Sequence, residues 1–546
     1  MSAPPPRQAS GLLAWLVTLV VLLGGWLVYH RALGLFFSQD DFGSLARTLG
    51  MLPRLVGPWR YVGNQMVFDL MRPLAGLDPL PYHIASLAAH LACGMLLYVL
   101  LARRLPAPAA GLGAVFWVTH PALFTSVYWI SVIADSLALA FALGALLAFE
   151  GDRRQRWAAV PLFALSLLSK ESTLLLPAAA VLLARWAPRA DAPPDRRRPP
   201  VLRDPVLWVL AALAVGFVLY FVTSAYATYF VRPGAGGQDA TARTSAAYAI
   251  GLGGSLLANL STYVGWTAAF LLPTMRGFGD AVDPVVIPYA VGLGLLWLAG
   301  LAWPALRRAG WLVGGALYLL LLLPVLPLRN HTYHYYLCAP LAGAAWCLAA
   351  AAAMLVRRRP YEPVGRPTRP PVVRVVPPDP RIASGSASWL AFALASALLT
   401  LNGWAVVRRI EFHPFVVTPL RSEPMVDRAL IARRAARDLE SAKLPPGTRL
   451  YFWSPQTAPG GPPGSASDPA AGAATYWERN VRAALLDGLA VRVLFPQVDT
   501  VAFVRRFRPA AEPWRWAVYR LDGSLRVATT AELDSLLTLY GAQAPR

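Results

Sequence analysis

Three observations predict a polytopic α-helical membrane protein: recurrent apolar runs, a shortage of charge, and arginine gathered in alternate loops. Of 546 residues, 56% are hydrophobic and 14% charged, with mean hydropathy +0.46. A soluble domain averages about 45–50% apolar and about 25% charged. Too few polar residues remain to cover a water-soluble surface of this size. The apolar runs have the roughly 17–25 residues that cross a bilayer, and the pattern predicts about eleven to thirteen transmembrane helices before a small C-terminal α/β domain.

The elements follow in order. Span one, 11–29, comes after the single Arg7, and no small-residue cleavage site follows it. It is read as a retained span rather than a signal peptide. A polar stretch, 30–80, follows; within it Phe42–Leu49 and Gln65–Leu70 are expected as helices lying along the membrane surface. Span two at 83–101 leads to Arg103-Arg104, and spans three and four occupy 109–124 and 128–149. Asp152-Arg153-Arg154-Gln155-Arg156 comes next, then short spans at 157–169 and 172–187 separated by Lys170-Glu171. The loop 185–203 carries Arg189 and Arg196-Arg197-Arg198. With the N-terminus in the cytoplasm, each of these arginine-rich loops is cytoplasmic, as the positive-inside rule requires.

Span seven covers 205–223. The apolar stretch 245–272 is open: one crossing would put Arg307-Arg308 and the basic 357–381 loop outside, so an even number of crossings or a re-entrant element is expected. Spans at 285–303, 311–328, 337–356 and 389–407 complete the set. The chain divides into a transmembrane domain, 1–356, a Pro- and Arg-rich cytoplasmic linker, 357–388, a last span, 389–410, and a soluble domain, 411–546. In that domain Arg421–Lys443 has helical spacing. Arg449–Trp453 and Val491–Phe495 read as strands, and Trp514–Thr529 as a hairpin around Asp522-Gly523. The net charge of +21 is explained by loops facing anionic headgroups. It is spread over several short loops, which argues against nucleic acid as a partner. Cys93, Cys338 and Cys347 all lie in apolar runs and suggest neither a disulfide framework nor a metal cluster.

Candidate chemistry concentrates on the outer side. Asp40 and Asp41 stand about a dozen residues beyond span one, where a base acting on a lipid-linked substrate would sit. An isolated Asp-Asp is more often an ordinary solvated loop. Arg60 lies in the same outer stretch. His120-Pro121 falls at the end of span three, where the histidine could equally be a helix cap. Asp135 has apolar neighbours on both sides, and Lys170-Glu171 joins two short spans, where the two could simply pair with each other. Ionisable groups at membrane depth are expensive and mark functional candidates. Arg329-Asn-His331-Thr-Tyr333-His334-Tyr335-Tyr336 offers charge, hydrogen bonds and stacking faces suited to a phosphate or sugar. Histidine and cysteine spacing makes no metal motif, so no cofactor is called for; a divalent cation on Asp40/Asp41 is the alternative.

These landmarks resemble the GT-C class of membrane glycosyltransferases that use polyprenyl-phosphate sugars. The chain is most similar to the branch of transmembrane O-mannosyltransferases carrying tetratricopeptide repeats, and to related bacterial proteins. The matching residues are Asp40-Asp41, Pro81-Tyr82-His83 with His90, and His120-Pro121 with Val127-Tyr-Trp-Ile130. Ala134-Asp135-Ser-Leu137, Leu168-Ser-Lys170-Glu171-Ser172 and His334-Tyr-Tyr-Leu-Cys-Ala-Pro340 follow. The match covers residues 35–180 and 329–340. Ile133 stands where the family has an arginine, Thr125 where a glutamate is common, and His334-Tyr335 where it has Glu-Arg; the tetratricopeptide repeats are absent.

The resemblance implies hexosyl transfer from a polyprenyl-phosphate donor to an acceptor hydroxyl on a glycan, lipid or protein, by inverting direct displacement. Asp40 and Asp41 would be catalytic, with either one the base. Lys170, Arg329, His334 and Tyr335 would bind the donor phosphate. His120, Asp135, Glu171 and Arg60 would line or support the cavity. The implied location is a bacterial inner membrane, with the N-terminus cytoplasmic and 411–546 periplasmic. The rival readings are a lipid or solute transporter or flippase, and a non-catalytic scaffold of an envelope assembly.

Overall fold

The computed structural model describes residues 7–54, 57–188, 201–225, 250–268, 284–328, 331–356, 386–411, 424–453, 480–504, 514–519, 524–529, 531–533 and 535. Five of the described helices are long and apolar enough to cross a membrane: Leu12–Gly34, Pro79–Ala102, Ile130–Phe149, Pro205–Ser224 and Trp389–Arg408. A sixth arises if Ala107–Thr119 and Pro121–Tyr128, bent by 45° at His120, count as one span. The expected eleven to thirteen crossings are therefore not matched by helices of full spanning length. The shortfall has a physical reason. Ile287–Ala302, Trp311–Leu322 and Leu341–Met354 are apolar but short, and twelve residues rise only about 18 Å.

We number the helices α1 (Arg7–Tyr29), α2 (Asp40–Thr48), α3 (Val67–Ala75), α4 (Pro79–Ala102), α5 (Ala107–Thr119) and α6 (Phe124–Tyr128). Then follow α7 (Ile133–Phe149), α8 (Arg153–Ser169), α9 (Leu176–Trp186), α10 (Pro205–Tyr220), α11 (Gly254–Ala268) and α12 (Ile287–Ala302). The rest are α13 (Pro304–Ala309), α14 (Trp311–Leu322), α15 (Leu341–Val356), α16 (Ser386–Glu411), α17 (Pro424–Ser441) and α18 (Leu489–Leu494).

The central bundle is α1, α4, α5, α7 and α8, with α15 packed against α5 and α14 against α15. Its interior is filled by Trp117, Trp346 and Phe163 among small residues. Small residues also set the closest approaches. A Cβ on Gly314 would lie 2.8 Å from the backbone oxygen of Gly343, so α14 and α15 touch through their main chains, as apolar helices do when no water drives them together. Large apolar side chains point outward from α1 (Leu12, Trp15, Leu19), α10 (Trp208, Leu219) and α16 (Trp389, Phe392). Asp152 starts α8 with a reciprocal capping box to Gln155, and Arg104–Glu150 and Arg156–Asp204 pair near the same end. Of the open stretch 245–272, only the fifteen-residue α11 and a short lead-in are described, and they fall short of spanning length. The linker positions 357–385 lie outside the described residues.

The C-terminal domain is α/β, as expected: four strands, β1 (Thr448–Trp453), β2 (Val498–Phe503), β3 (Trp514–Tyr519) and β4 (Leu525–Ala528), in the order β2-β1-β3-β4. β1 is parallel to both β2 and β3; β3 and β4 are antiparallel. One expected strand is corrected. Residues 491–495 begin inside α18, and β2 starts at Val498. The reason is topological: parallel β1 and β2 need a crossover, normally helical. Val491 and Val493, which suggested a strand, are buried with Ala490 on that helix.

A second correction concerns α2. It is enclosed by protein rather than left with an exposed face. Every residue from Asp41 to Ala46 is buried, because α18 of the C-terminal domain covers it. Phe37, Phe42 and Leu45 share one apolar cluster with Ile431, Leu485 and Val491. By contrast, α3 leaves Leu70 and Leu74 exposed.

Candidate functional site

The Asp40–Asp41 pair begins α2, and a helix start separates two adjacent side chains by about 100° of rotation. Asp41 turns inward. Its Oδ1 accepts from Ser131 N at 2.8 Å and Ser131 Oγ at 2.6 Å, and its Oδ2 from Ser38 N at 3.0 Å. Burial pushes its carboxyl up to about 7, against the pull of those Ser131 and Ser38 hydrogen bonds. Asp41 is thus a buried knot tying the turn to the segment before α7.

Asp40 turns outward. Its side chain is exposed, and among the described residues its carboxylate accepts no hydrogen bond. The surrounding protein pushes its carboxyl above the usual value, while the guanidinium groups of Arg47, Arg428 and Arg60 pull it down.

The turn that aims Asp40 is strained. Asp41 N donates to Ser38 O at 3.1 Å, and Gln39 has φ 53°, ψ −124°. That is the first central position of a type II′ turn, which glycine normally fills. A glutamine there costs about 1–3 kcal/mol unless its surroundings hold it.

A second group of polar side chains is buried where α7 meets α8. Asp135 lies in the first turn of α7 and Lys170 at the end of α8; Lys170 Nζ donates to Asp135 Oδ2 at 2.5 Å. The same Nζ stands 4.5 Å from the ring centroid of Tyr335 and 4.8 Å from that of Tyr336. Glu171 does not pair with Lys170, although the two are adjacent. Lys170 is extended, with φ −165° and ψ 148°, so successive side chains diverge. Glu171 instead takes a bidentate grip from Arg60, with Nε–Oε2 at 3.0 Å and Nη2 on Oε1. Burial raises the Glu171 carboxyl, but the Arg60 guanidinium outweighs it and holds the group well below the usual carboxylate range.

Gly63 brings Arg60 into place. A Cβ there would lie 2.5 Å from Ala134 Cβ and 2.6 Å from the Ser169 carbonyl, so the π-turn Tyr61–Met66 presses against the α7–α8 junction. Arg60 is close enough to influence both Asp40 and the Asp135–Lys170–Glu171 group.

The loop before α15 closes over Lys170. Tyr333 stacks on Tyr335 at 5.2 Å, and His334 stacks on Trp266 of α11 at 3.9 Å. His331 Nε2 is 3.4 Å from Tyr335 Oη. Burial, reinforced by Arg60 and Lys170, holds the His331 pKa down to about 3, so it is a neutral acceptor or donor at physiological pH. Asn259 anchors the loop, donating to the carbonyls of Leu326 (2.9 Å) and Leu328 (3.0 Å) and accepting from Thr332 Oγ1 (3.0 Å).

Of the residues singled out from sequence, Arg60, Asp135, Lys170, Glu171 and Tyr335 thus converge, and His334 is adjacent. His120 is a brace. Its Nδ1 accepts from Ala122 N at 3.2 Å, its Nε2 contacts the Thr267 carbonyl at 3.0 Å, and its own carbonyl accepts from Tyr29 Oη. Arg329 lies outside the described residues. Sequence reading missed Ser131, Gly63, Asn259 and Trp266. A small residue beside a buried carboxylate carries no periodic signal, and Asn259 and Trp266 fall in the stretch whose crossing was left open. Among the described residues no group of three or more His, Cys, Asp and Glu is arranged to hold a metal ion. The chain matches no protein-family model, and no curated protein or solved structure is significantly similar to it.

Proposed function

We propose that this chain is a membrane glycosyltransferase of the GT-C type, moving a sugar from a polyprenyl-phosphate donor to an acceptor hydroxyl at the face carrying the C-terminal domain. The observation that carries the reading is one exposed carboxylate, Asp40, and a buried cluster of cations and aromatic rings, both within the electrostatic reach of Arg60. Asp40 takes the proton of the acceptor hydroxyl. The oxygen attacks the sugar carbon, the bond to the lipid phosphate breaks with inversion, and the departing phosphate carries away the charge. Lys170, His334, Tyr335 and Arg329 supply cations and donors for it, and Asp135 and Glu171 keep the cations Lys170 and Arg60 in place. Asp41 acts on the geometry of Asp40 and does not exchange a proton with the acceptor. The face in question would be periplasmic, in a bacterial inner membrane.

The test is sugar transfer from polyprenyl-phosphate donors by the reconstituted full chain. Asp40→Asn should lower kcat about 100-fold or more. Full activity in that variant overturns the base assignment. A second reading, a scaffold without catalysis, draws on one observation: Lys170 and Arg60 are each already paired with a carboxylate. Polyprenyl phosphate co-purifying with the chain, and lost in Lys170→Met, would exclude it.

A further inference from the structure

We infer that the C-terminal domain completes the candidate site by clamping the Ser38–Asp41 turn, with Arg428 and Gln39 as positioning residues for the Asp40 carboxylate. The inference rests on the reading of Asp40 as the reacting base. Its observations come from elements nearly 400 residues apart in the chain.

Gln39 occupies a backbone conformation that favours glycine, so something must hold it there. Besides the hydrogen bonds within the turn and those of Asp41, three contacts hold Gln39 itself, and all three come from the C-terminal domain. The Gln39 main-chain N–H donates to the Ala484 carbonyl at 3.3 Å. The side-chain Oε1 accepts from Arg428 Nη1 at 2.5 Å, and the amide nitrogen lies against the Met425 thioether. Arg428 is in turn aimed by the buried Asn480, whose Oδ1 accepts from Arg428 Nε at 2.9 Å.

A domain that was merely tethered would have no reason to converge on the one residue of the turn that needs restraint. Glycine would adopt this turn without help; glutamine gives up that ease and provides an amide handle for the domain to grip. Asp40 is the next residue, so the direction of its carboxylate follows the grip. Arg428 also places a positive charge near Asp40, alongside Arg47 of α2 and Arg60 before the π-turn, and Asp40 in turn disfavours charge on its neighbour Asp41.

The experiment uses the full-length chain in lipid nanodiscs, with Gln39→Ala, Gln39→Gly, Arg428→Ala and Arg428→Lys. Hydrogen exchange of residues 37–45 reads the clamp without reference to activity. Gln39→Ala and Arg428→Ala should speed exchange there by about tenfold. Transfer kinetics read its consequence. Gln39→Ala should lower kcat by about ten- to a hundredfold, the scale of an ångström of misplacement, with KM for the donor unchanged. Gln39→Gly, which adopts the turn without strain, should lose less than Gln39→Ala, the reverse of the usual ranking of these two substitutions. In Arg428→Ala the acid limb of the pH–rate profile should move to higher pH, and Arg428→Lys should restore it. Unchanged exchange in Arg428→Ala, or equal losses for Gln39→Ala and Gln39→Gly, overturns the clamp. A wild-type chain with no transferase activity from any polyprenyl-phosphate donor defeats the reading of Asp40 as a base, while the exchange arm still decides the clamp.

Discussion

Adjacent residues of one chemical type hold opposite jobs here, and only their surroundings separate them. Asp40 and Asp41 are indistinguishable in sequence; in the fold one is exposed and the other is bound by three hydrogen bonds. The same holds for Lys170 and Glu171, which face different partners because the backbone between them is extended. Asp41 makes a pH prediction. Burial pushes its carboxyl up to about 7 from the usual 3.8. A group raised on folding contributes stability that is fully present below the lower value and is lost as pH rises through the upper one. The wild type should therefore lose thermal stability relative to Asp41→Asn between pH 4 and about 7, measured as the difference in Tm. A constant difference across that window would refute the assignment.

At the scale of elements, the candidate site depends on where helices end. The start of α7 meets the end of α8, and the π-turn Tyr61–Met66 is wedged against both through Gly63. Gly63→Ala should force that wedge apart, cost about 1–3 kcal/mol and loosen Arg60 from Glu171, visible as a lower Tm. The buried pair makes a second prediction. Lys170→Met alone leaves Asp135 without its partner and should destabilise by about 3–5 kcal/mol, whereas Lys170→Met with Asp135→Leu should recover most of that loss. A double-mutant cycle in detergent measures both. These junctions were half legible from sequence. The apolar runs and their breaks marked α7, α8 and the outer loop, because hydropathy is a local property. The contacts across the junction were not legible, because a glycine at a close approach looks like any other glycine.

The whole molecule joins an apolar helical bundle to a small α/β domain that covers α2 and grips the turn before it. Its orientation yields the remaining prediction. In a cysteine-free background, Ser465→Cys should react with a membrane-impermeant thiol reagent in intact cells, and Arg358→Cys should react only after lysis; the opposite pattern would invert the proposed topology. The sequence by itself determined the helical class and the positions of the costly ionisable groups, and it predicted a division into apolar bundle, basic linker and terminal domain. Each of these follows from composition or from a short-range pattern. The tertiary structure alone decided that the terminal domain packs onto α2 rather than leaving it exposed. It also decided that Asp135 pairs with Lys170, that Arg60 pairs with Glu171, and that of two equal carboxylates Asp40 is the one left open. The physical reason is common to all four: a side chain's partner and exposure depend on segments tens to hundreds of residues away, which no local pattern encodes.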